Sequence, residues 1–226
     1  MADMRRTSPE PPPGMPQIQF KPGMANEMLH ELAPLLAEEG IDVDNIDVDN
    51  IDVPDMDTLQ RALNRAVERR NMELFSPVGQ TRDIALATLR QVVQAILDGD
   101  TALAGALLDQ IQPESPDNTV ATVSSCIGVA LGLLDDWLSG HHAGAPANLA
   151  QHTALPAGHW SGERAATDIL VLARKARAFP SLGTLLTRQG GPQVLAGSAL
   201  ALAAATDTWA KHSDTPRADL IQTTIR

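Results

Sequence analysis

Four of the six histidines fall in one stretch, residues 140–161. Imidazole is the commonest transition-metal ligand in proteins, and a loop can fold several imidazoles around one ion. Successive histidines here are separated by 1, 10 and 7 positions, which matches no zinc motif, and there is no second cysteine. We expect an ordinary loop without metal ligands. The alternative is a helical enzyme or metal-binding protein with its site near this loop, at His141, His142, His152 and His159.

A second candidate for metal chemistry is the aspartate repeat of residues 41–55, which reads Ile-Asp-Val-Asp-Asn twice and then Ile-Asp-Val-Pro-Asp. A calcium-binding EF-hand loop needs oxygen ligands at alternate positions, then a glycine and a distal glutamate. The alternation is lost between Asp44 and Asp47, and no glycine follows. The odd unit length also moves the apolar residues to the other face of a strand in each unit. We interpret the repeat as a solvated acidic linker.

The remaining candidate sites favour structural interpretations. The segment Gly190-Gly191-Pro192 precedes a predicted helix, where backbone N–H groups can hold an anion, but it lacks the Lys-Ser/Thr pair of a phosphate loop. We interpret it as a turn between helices. Cys126, the single cysteine, has apolar neighbours and is expected to be a small core residue. Since no nucleophile or cofactor motif is present, we predict no catalytic residue and no cofactor.

The negative charge of the chain is concentrated in one segment. Residues 23–60 hold 11 acids and no lysine or arginine, and the formal charge of the whole chain is −11. The rest of the chain is therefore balanced, and nucleic-acid binding is not expected. Leucines and methionines recur at helical spacing between Asn26 and Gly40. They predict an amphipathic helix that kinks or splits near Ala33, because Pro34 lacks an N–H group.

This acidic segment carries the functional hypothesis. We expect the helix to dock in an apolar groove while residues 41–53 lie extended against arginine side chains, in the same subunit or in a partner. A protein partner or a homo-oligomer would both fit. The alternative is a helix that packs on its own chain, with the acids only solvated. The candidate partner-binding residues are Met28, Leu29, Leu32, Leu35, Leu36, Asp42, Asp44, Asp47, Asp49, Arg61, Arg65 and Arg69.

The chain after residue 55 shows helical periodicity and no sustained alternation of apolar and polar residues. We predict an all-α fold, a multi-helix orthogonal or bundle domain of about seven helices. Val194–Thr206 is polar only at Ser198 and Thr206, which predicts the central buried helix. The predicted helices span about residues 56–74, 81–98, 101–111, 119–139, 163–178, 181–188, 192–212 and 216–225.

Two details concern helix packing. Small residues at Ala121, Ser125, Gly128 and Gly132 form a stripe along one helix, which predicts close approach of another backbone. Arg70 falls on the apolar side of its own helix. We expect it to extend to solvent at the helix end or to pair with an acid.

The organisation that follows is a disordered Pro-rich leader (1–22), an acidic arm (23–54) and an α-helical domain (55–226). No secretory signal is apparent, and the longest apolar run is shorter than the roughly 20 residues that cross a membrane. We expect a cytoplasmic protein without a membrane partner, and its alanine and arginine content is typical of a GC-rich bacterial genome. The predicted function is non-catalytic: a protein-binding, scaffold or regulatory protein.

Overall fold

Helices dominate the computed structural model, which describes residues 24–46, 53–114, 120–140, 148–158 and 161–226. Within these residues there are eleven α-helices, one 3₁₀ turn and no strand. An isolated bridge pairs Gln112 with Thr122. The predicted all-α fold is confirmed. The predicted leader, residues 1–22, lies outside the described residues.

The helix bounds follow the predictions closely but add short elements. The predicted loop at 140–161 contains a short helix, so nine described helices begin at or after residue 53, against the eight spans predicted for a domain of about seven helices. The helices are α1 (Met24–Glu31), α2 (Ala33–Ala37), α3 (Val53–Leu74), α4 (Gly79–Leu97), α5 (Thr101–Asp109), α6 (Val123–Leu138), α7 (Leu149–His152), α8 (Glu163–Ala173), α9 (Leu182–Gln189), α10 (Gly191–Ser213) and α11 (Arg217–Thr224).

The chain divides into two compact units, Met1–Arg69 and Arg70–Arg226, and the division falls inside α3. The predicted boundaries after residues 22 and 54 concern which segments fold independently. They stay predictions.

The first unit has a small apolar core of its own. α1 ends at Glu31 and α2 starts at Ala33, with Pro34 in the first turn of α2. The helix is interrupted here because Pro34 has no N–H group to donate to the preceding turn. Residues 43–45 form a 3₁₀ turn, and not the extended segment that the repeat suggested. The core consists of Leu29, Leu36, Val43, Leu59 and Ala62.

The second unit is built around α10. Every residue from Val194 to Thr206 is buried, as the sequence predicted for the central helix. Helices α4, α6, α8, α9 and α11 pack around it. Gly197 of α10 lies against α8, because a Cβ at this position would come 2.7 Å from the Ala166 nitrogen.

Helix α8 ends earlier than predicted, at Ala173 instead of Ala178. The buried carboxylate of Asp135 on α6 accepts hydrogen bonds from the N–H groups of Ala178 (2.9 Å) and Phe179 (3.0 Å). Ala176 adopts a left-handed conformation with φ of 52°. Asp135 thus replaces the helical partners that these amides would otherwise need.

Candidate functional site

A cavity of the second unit lies at the start of α6 and has a volume of about 630 Å³. We call it the Ser124 cavity. It is open to solvent and lies within the size range of small-ligand and peptide sites. Its walls come from the end of α3, the start of α4 and the segments before and within the first turn of α6. The lining residues are Arg70, Glu73, Leu74, Ser76, Pro77, Val78, Thr81, Glu114, Val120, Thr122, Ser124 and Ser125.

The first turn of α6 satisfies most of its hydrogen-bond donors locally. Thr122 caps the helix: its hydroxyl accepts from the Ser125 N–H (3.2 Å), and the Ser125 hydroxyl accepts from the Thr122 N–H (3.0 Å). The Val123 N–H donates to the Gln112 carbonyl oxygen at 2.9 Å. This reciprocal cap leaves Ser124 as the residue of the turn whose N–H must find a partner elsewhere.

Ser124 has no such partner within the described residues. Neither its N–H nor its hydroxyl makes a hydrogen bond there, although the residue is only 8% exposed. The hydroxyl oxygen is still open to solvent, because the buried side-chain atoms without a partner in the described residues are Arg90 Nε, Trp137 Nε1, Ser139 Oγ and Thr206 Oγ1. The position therefore offers two donors to an acceptor inside the cavity.

The rim of the Ser124 cavity combines charge with apolar surface. Arg70, which the sequence placed on the apolar side of its helix, pairs loosely with Glu73 at 3.6 Å. Both side chains are more than half exposed. Val78 is 80% exposed and Leu74 is 37% exposed. An apolar group on a partner molecule can be buried against these two side chains.

The sequence-predicted partner residues are used largely within the first unit. Leu29 and Leu36 are buried in its core, while Leu32 and Leu35 are half-buried. Met28 lies in α1, but its side chain is outside the described set, as are residues Asp47 and Asp49.

The predicted arginines contact a different part of the acidic arm from the repeat. Arg65 Nε donates to Glu39 at 2.8 Å, and Arg69 bonds both Glu39 and Glu38. The hydrogen bond from Arg65 lowers the pKa of Glu39. Arg61 bonds within its own helix, to the Asp57 carbonyl oxygen and the Thr58 hydroxyl.

The described aspartates of the repeat are bound to near neighbours. Asp42 accepts hydrogen bonds from the Asp44 N–H (3.2 Å) and the Asn45 side chain (2.8 Å). Asp44 lies 3.7 Å from the His30 ring. These contacts form the 3₁₀ turn and do not reach the arginines.

Of the four candidate histidines, the structure describes only His152. His141, His142 and His159 lie outside the described residues. His152 ends α7 and lines a pocket of about 280 Å³ together with Asp207, Lys211 and His212. Among the residues that the structure describes, no three histidine, cysteine or acidic side chains come close enough to hold a metal ion.

Two other candidates from the sequence, Cys126 and Gly190, have structural roles. Cys126 is buried, and burial raises the pKa of its thiol to about 12, which disfavours the reactive thiolate. Gly190 connects α9 to α10 with φ of 84°, a conformation that favours glycine, so the segment is a turn between helices.

Sequence reasoning missed the Ser124 cavity, although two signals pointed to it. Thr122 and Ser125 have the spacing of a capping box, and Arg70 was out of place on its own helix. Comparison with protein-family models, with curated proteins and with solved structures finds no match for this chain. In the described part of the chain, no helix combines the length and apolarity needed to span a membrane.

Proposed function

We propose that this chain is a non-catalytic protein-binding protein, a scaffold or regulator, that receives a segment of a partner in the Ser124 cavity. The observation that carries the proposal is an open cavity of about 630 Å³ in which Ser124 offers an N–H and a hydroxyl that make no hydrogen bond within the described residues. A peptide carbonyl or carboxylate oxygen is the acceptor such a position fits.

The apolar rim supports a peptide over a purely polar ligand. Leu74 and Val78 lie beside the cavity and expose much of their side chains. Burial of an exposed apolar side chain stabilises a complex by about 1.5–3 kcal/mol when it is complete. A partner segment would thus combine one apolar side chain on the rim with one acceptor at Ser124.

The acidic arm is a second surface in this proposal. Arg65 and Arg69 are paired with Glu38 and Glu39, and not with the exposed Asp42 and Asp44 of the repeat. These acids would attract a basic surface, on a protein partner or on a second copy of the chain. The proposal places this binding in the cytoplasm of a bacterium and involves no nucleic acid and no membrane.

The second candidate function is an enzyme or metal-binding protein with a site beside residues 140–161. One observation favours it: His152, His212 and Asp207 line the same pocket. Elemental analysis of untagged protein tests it. Stoichiometric zinc and a melting temperature that falls on chelation would support this candidate, while metal-free protein with unchanged melting would leave the protein-binding proposal in place.

The proposed function is tested with a pool of fluorescein-labelled hexapeptides, randomised at each position and measured by fluorescence polarisation. Val78→Asp should abolish saturable binding because it places a charge on the apolar rim. Val171→Asp is the matched control, since Val171 is 50% exposed on α8 and does not line the cavity. Absence of saturable binding, or equal binding by both variants, would contradict the proposal.

A further inference from the structure

The turn that follows α8 carries three cationic side chains within four residues. Arg174, Lys175 and Arg177 are all exposed, and none of them forms an ion pair within the described residues. We call these three residues the basic turn. The end of a helix carries about half a negative elementary charge, which attracts one cation but does not account for three.

The backbone of the basic turn has a defined conformation. The Ala176 N–H donates to the Ala173 carbonyl oxygen at 2.9 Å, and the Arg177 N–H donates to the Leu172 carbonyl oxygen at 3.1 Å. These two bonds close the end of α8. The carboxylate of Asp135 binds the two N–H groups that follow the turn. An ordered backbone loses less conformational entropy when its side chains bind a partner.

A surface of opposite charge lies in the first unit. A cavity of about 500 Å³ is lined by apolar residues and by two exposed aspartates, Asp42 and Asp44. We call it the Asp42 cavity. Asp42 accepts hydrogen bonds from neutral groups, the Asp44 N–H and the Asn45 side chain, so these bonds do not cancel its charge. The apolar wall can contact the aliphatic part of a lysine or arginine side chain whose charged end reaches the aspartates.

The charge of the whole chain favours a second copy as the partner of the basic turn. The formal charge is −11, and residues 23–60 contain 11 acids and no lysine or arginine. This net charge repels nucleic acids and anionic membranes at long range. A second copy is also repelled, but it brings an acidic surface for the basic turn and a basic turn for the acidic surface. A two-fold pair makes this contact twice.

We infer that the chain associates with a second copy of itself, with the basic turn of each copy on the Asp42 cavity of the other. Lys175 and Arg177 pair there with Asp42 and Asp44. This inference rests on the acidic surface named in the proposed function and identifies the basic surface that it attracts. Exposed ion pairs contribute little individually and weaken with salt, so the association is weak and sensitive to salt.

The test is sedimentation velocity of the full chain over a dilution series. At about 0.1 M salt the average mass should rise toward that of a dimer as the protein concentration increases. At about 1 M salt the dissociation constant should increase at least about tenfold, because the screening length falls from about 10 Å to about 3 Å.

Charge reversal tests the basic turn itself. Lys175→Glu with Arg177→Glu should weaken association at least about tenfold at low salt. Arg174 is left unchanged because it also donates to the Thr153 carbonyl oxygen. The matched control is Arg164→Glu with Arg188→Glu, which reverses two exposed arginines elsewhere in the second unit and changes the net charge equally. The control should weaken association much less.

A complementary variant tests the acidic side. Asp44 is 82% exposed, so Asp44→Lys should leave the fold intact and weaken self-association. A mixture of Asp44→Lys protein with the variant that carries Lys175→Glu and Arg177→Glu should associate more tightly than either variant alone, because the reversed charges face each other. Absence of this rescue would overturn the pairing of the basic turn with the Asp42 cavity.

The outcomes separate this inference from the peptide-binding function. A monomer at every concentration at low salt that still binds the randomised hexapeptide pool would overturn the inference and keep the function. Salt-sensitive association without peptide binding would do the reverse. Equal weakening by the two double variants, or a dissociation constant that does not depend on salt, would overturn the inference.

Discussion

The backbone of Phe75 lies directly on Gly128 of α6. A Cβ at Gly128 would overlap the Phe75 carbonyl oxygen and come 2.5 Å from the carbonyl carbon and 2.9 Å from Cα. Phe75 immediately follows α3, and the residues next to it form one wall of the Ser124 cavity. The missing side chain at Gly128 therefore sets the distance between this wall and α6.

Gly128→Ala is expected to lower the free energy of unfolding by about 3 kcal/mol, because backbone atoms must move to admit the methyl group. Gly132→Ala is the matched control: nothing lies within 4 Å of a Cβ there. This second variant should gain about 0.5–1 kcal/mol from better helix propensity. Urea denaturation of both variants measures the difference. Equal effects would mean that Phe75 does not lie on Gly128.

Asp135→Asn should destabilise the second unit by about 1–3 kcal/mol, because an amide nitrogen would face the Ala178 or Phe179 N–H that a carboxylate oxygen now accepts. Asp136→Asn, at an exposed neighbouring position, should stay within about 0.5 kcal/mol of wild type. Thermal and urea unfolding of the two variants decide this. A tolerated Asp135→Asn would show that these two hydrogen bonds do not hold the segment after α8.

Asp207 should make stability depend on pH. Burial opposes ionisation of Asp207, but hydrogen bonds from Lys211 and Arg217 outweigh it and lower the pKa of this carboxyl below its ordinary value. The folded state thus favours the carboxylate. Its contribution of about 1 kcal/mol is complete above the unfolded pKa and is lost as pH falls through the folded pKa.

The measurement for Asp207 is the free energy of unfolding between pH 7 and pH 2. Asp207→Asn should be less stable than wild type at pH 7, and the difference should vanish at the acid end. Asp109→Asn, exposed at the end of α5, serves as control. A difference that stays constant with pH would contradict the assignment.

The parts of the fold that sequence predicted are those with local causes. The buried α10 follows from a continuous apolar run, and the break between α1 and α2 follows from Pro34. The early end of α8 depends on Asp135, which is 43 positions from Ala178, so no local pattern reveals it. The stripe of small residues was also ambiguous, because only the tertiary fold distinguishes the contact at Gly128 from the open position at Gly132.

The candidate sites also divide into features with local causes and features that depend on the tertiary fold. The periodicity of residues 26–40 indicated an apolar face, but only the fold shows that Leu36 faces Leu59 and Ala62 of the same unit. The open donors of Ser124 were not apparent because the neighbouring Val123 N–H donates to Gln112, a residue outside α6. Whether a donor has a hydrogen-bond partner depends on the tertiary structure.

Leu36→Asp should open the first unit, since it places an unpaired charge in a core position with no exposed surface. We expect loss of about 3 kcal/mol of local stability and faster hydrogen exchange across residues 24–46. Ala37→Asp, at the exposed neighbouring position of α2, is the control and should preserve protection. Fast exchange in wild-type protein would contradict packing of α1 and α2 on this core.

The central claim is that the Ser124 cavity binds a partner segment, and the amide resonance of Ser124 reports on it directly. Amide ¹H–¹⁵N spectra should be recorded during titration with the randomised hexapeptide pool. We predict that the Ser124 amide shifts downfield, as a newly bonded N–H does, together with Thr122 and Ser125, and that Val78→Asp removes these shifts. An unchanged Ser124 amide under saturable binding, with shifts concentrated at α7 or α11 instead, would contradict the account.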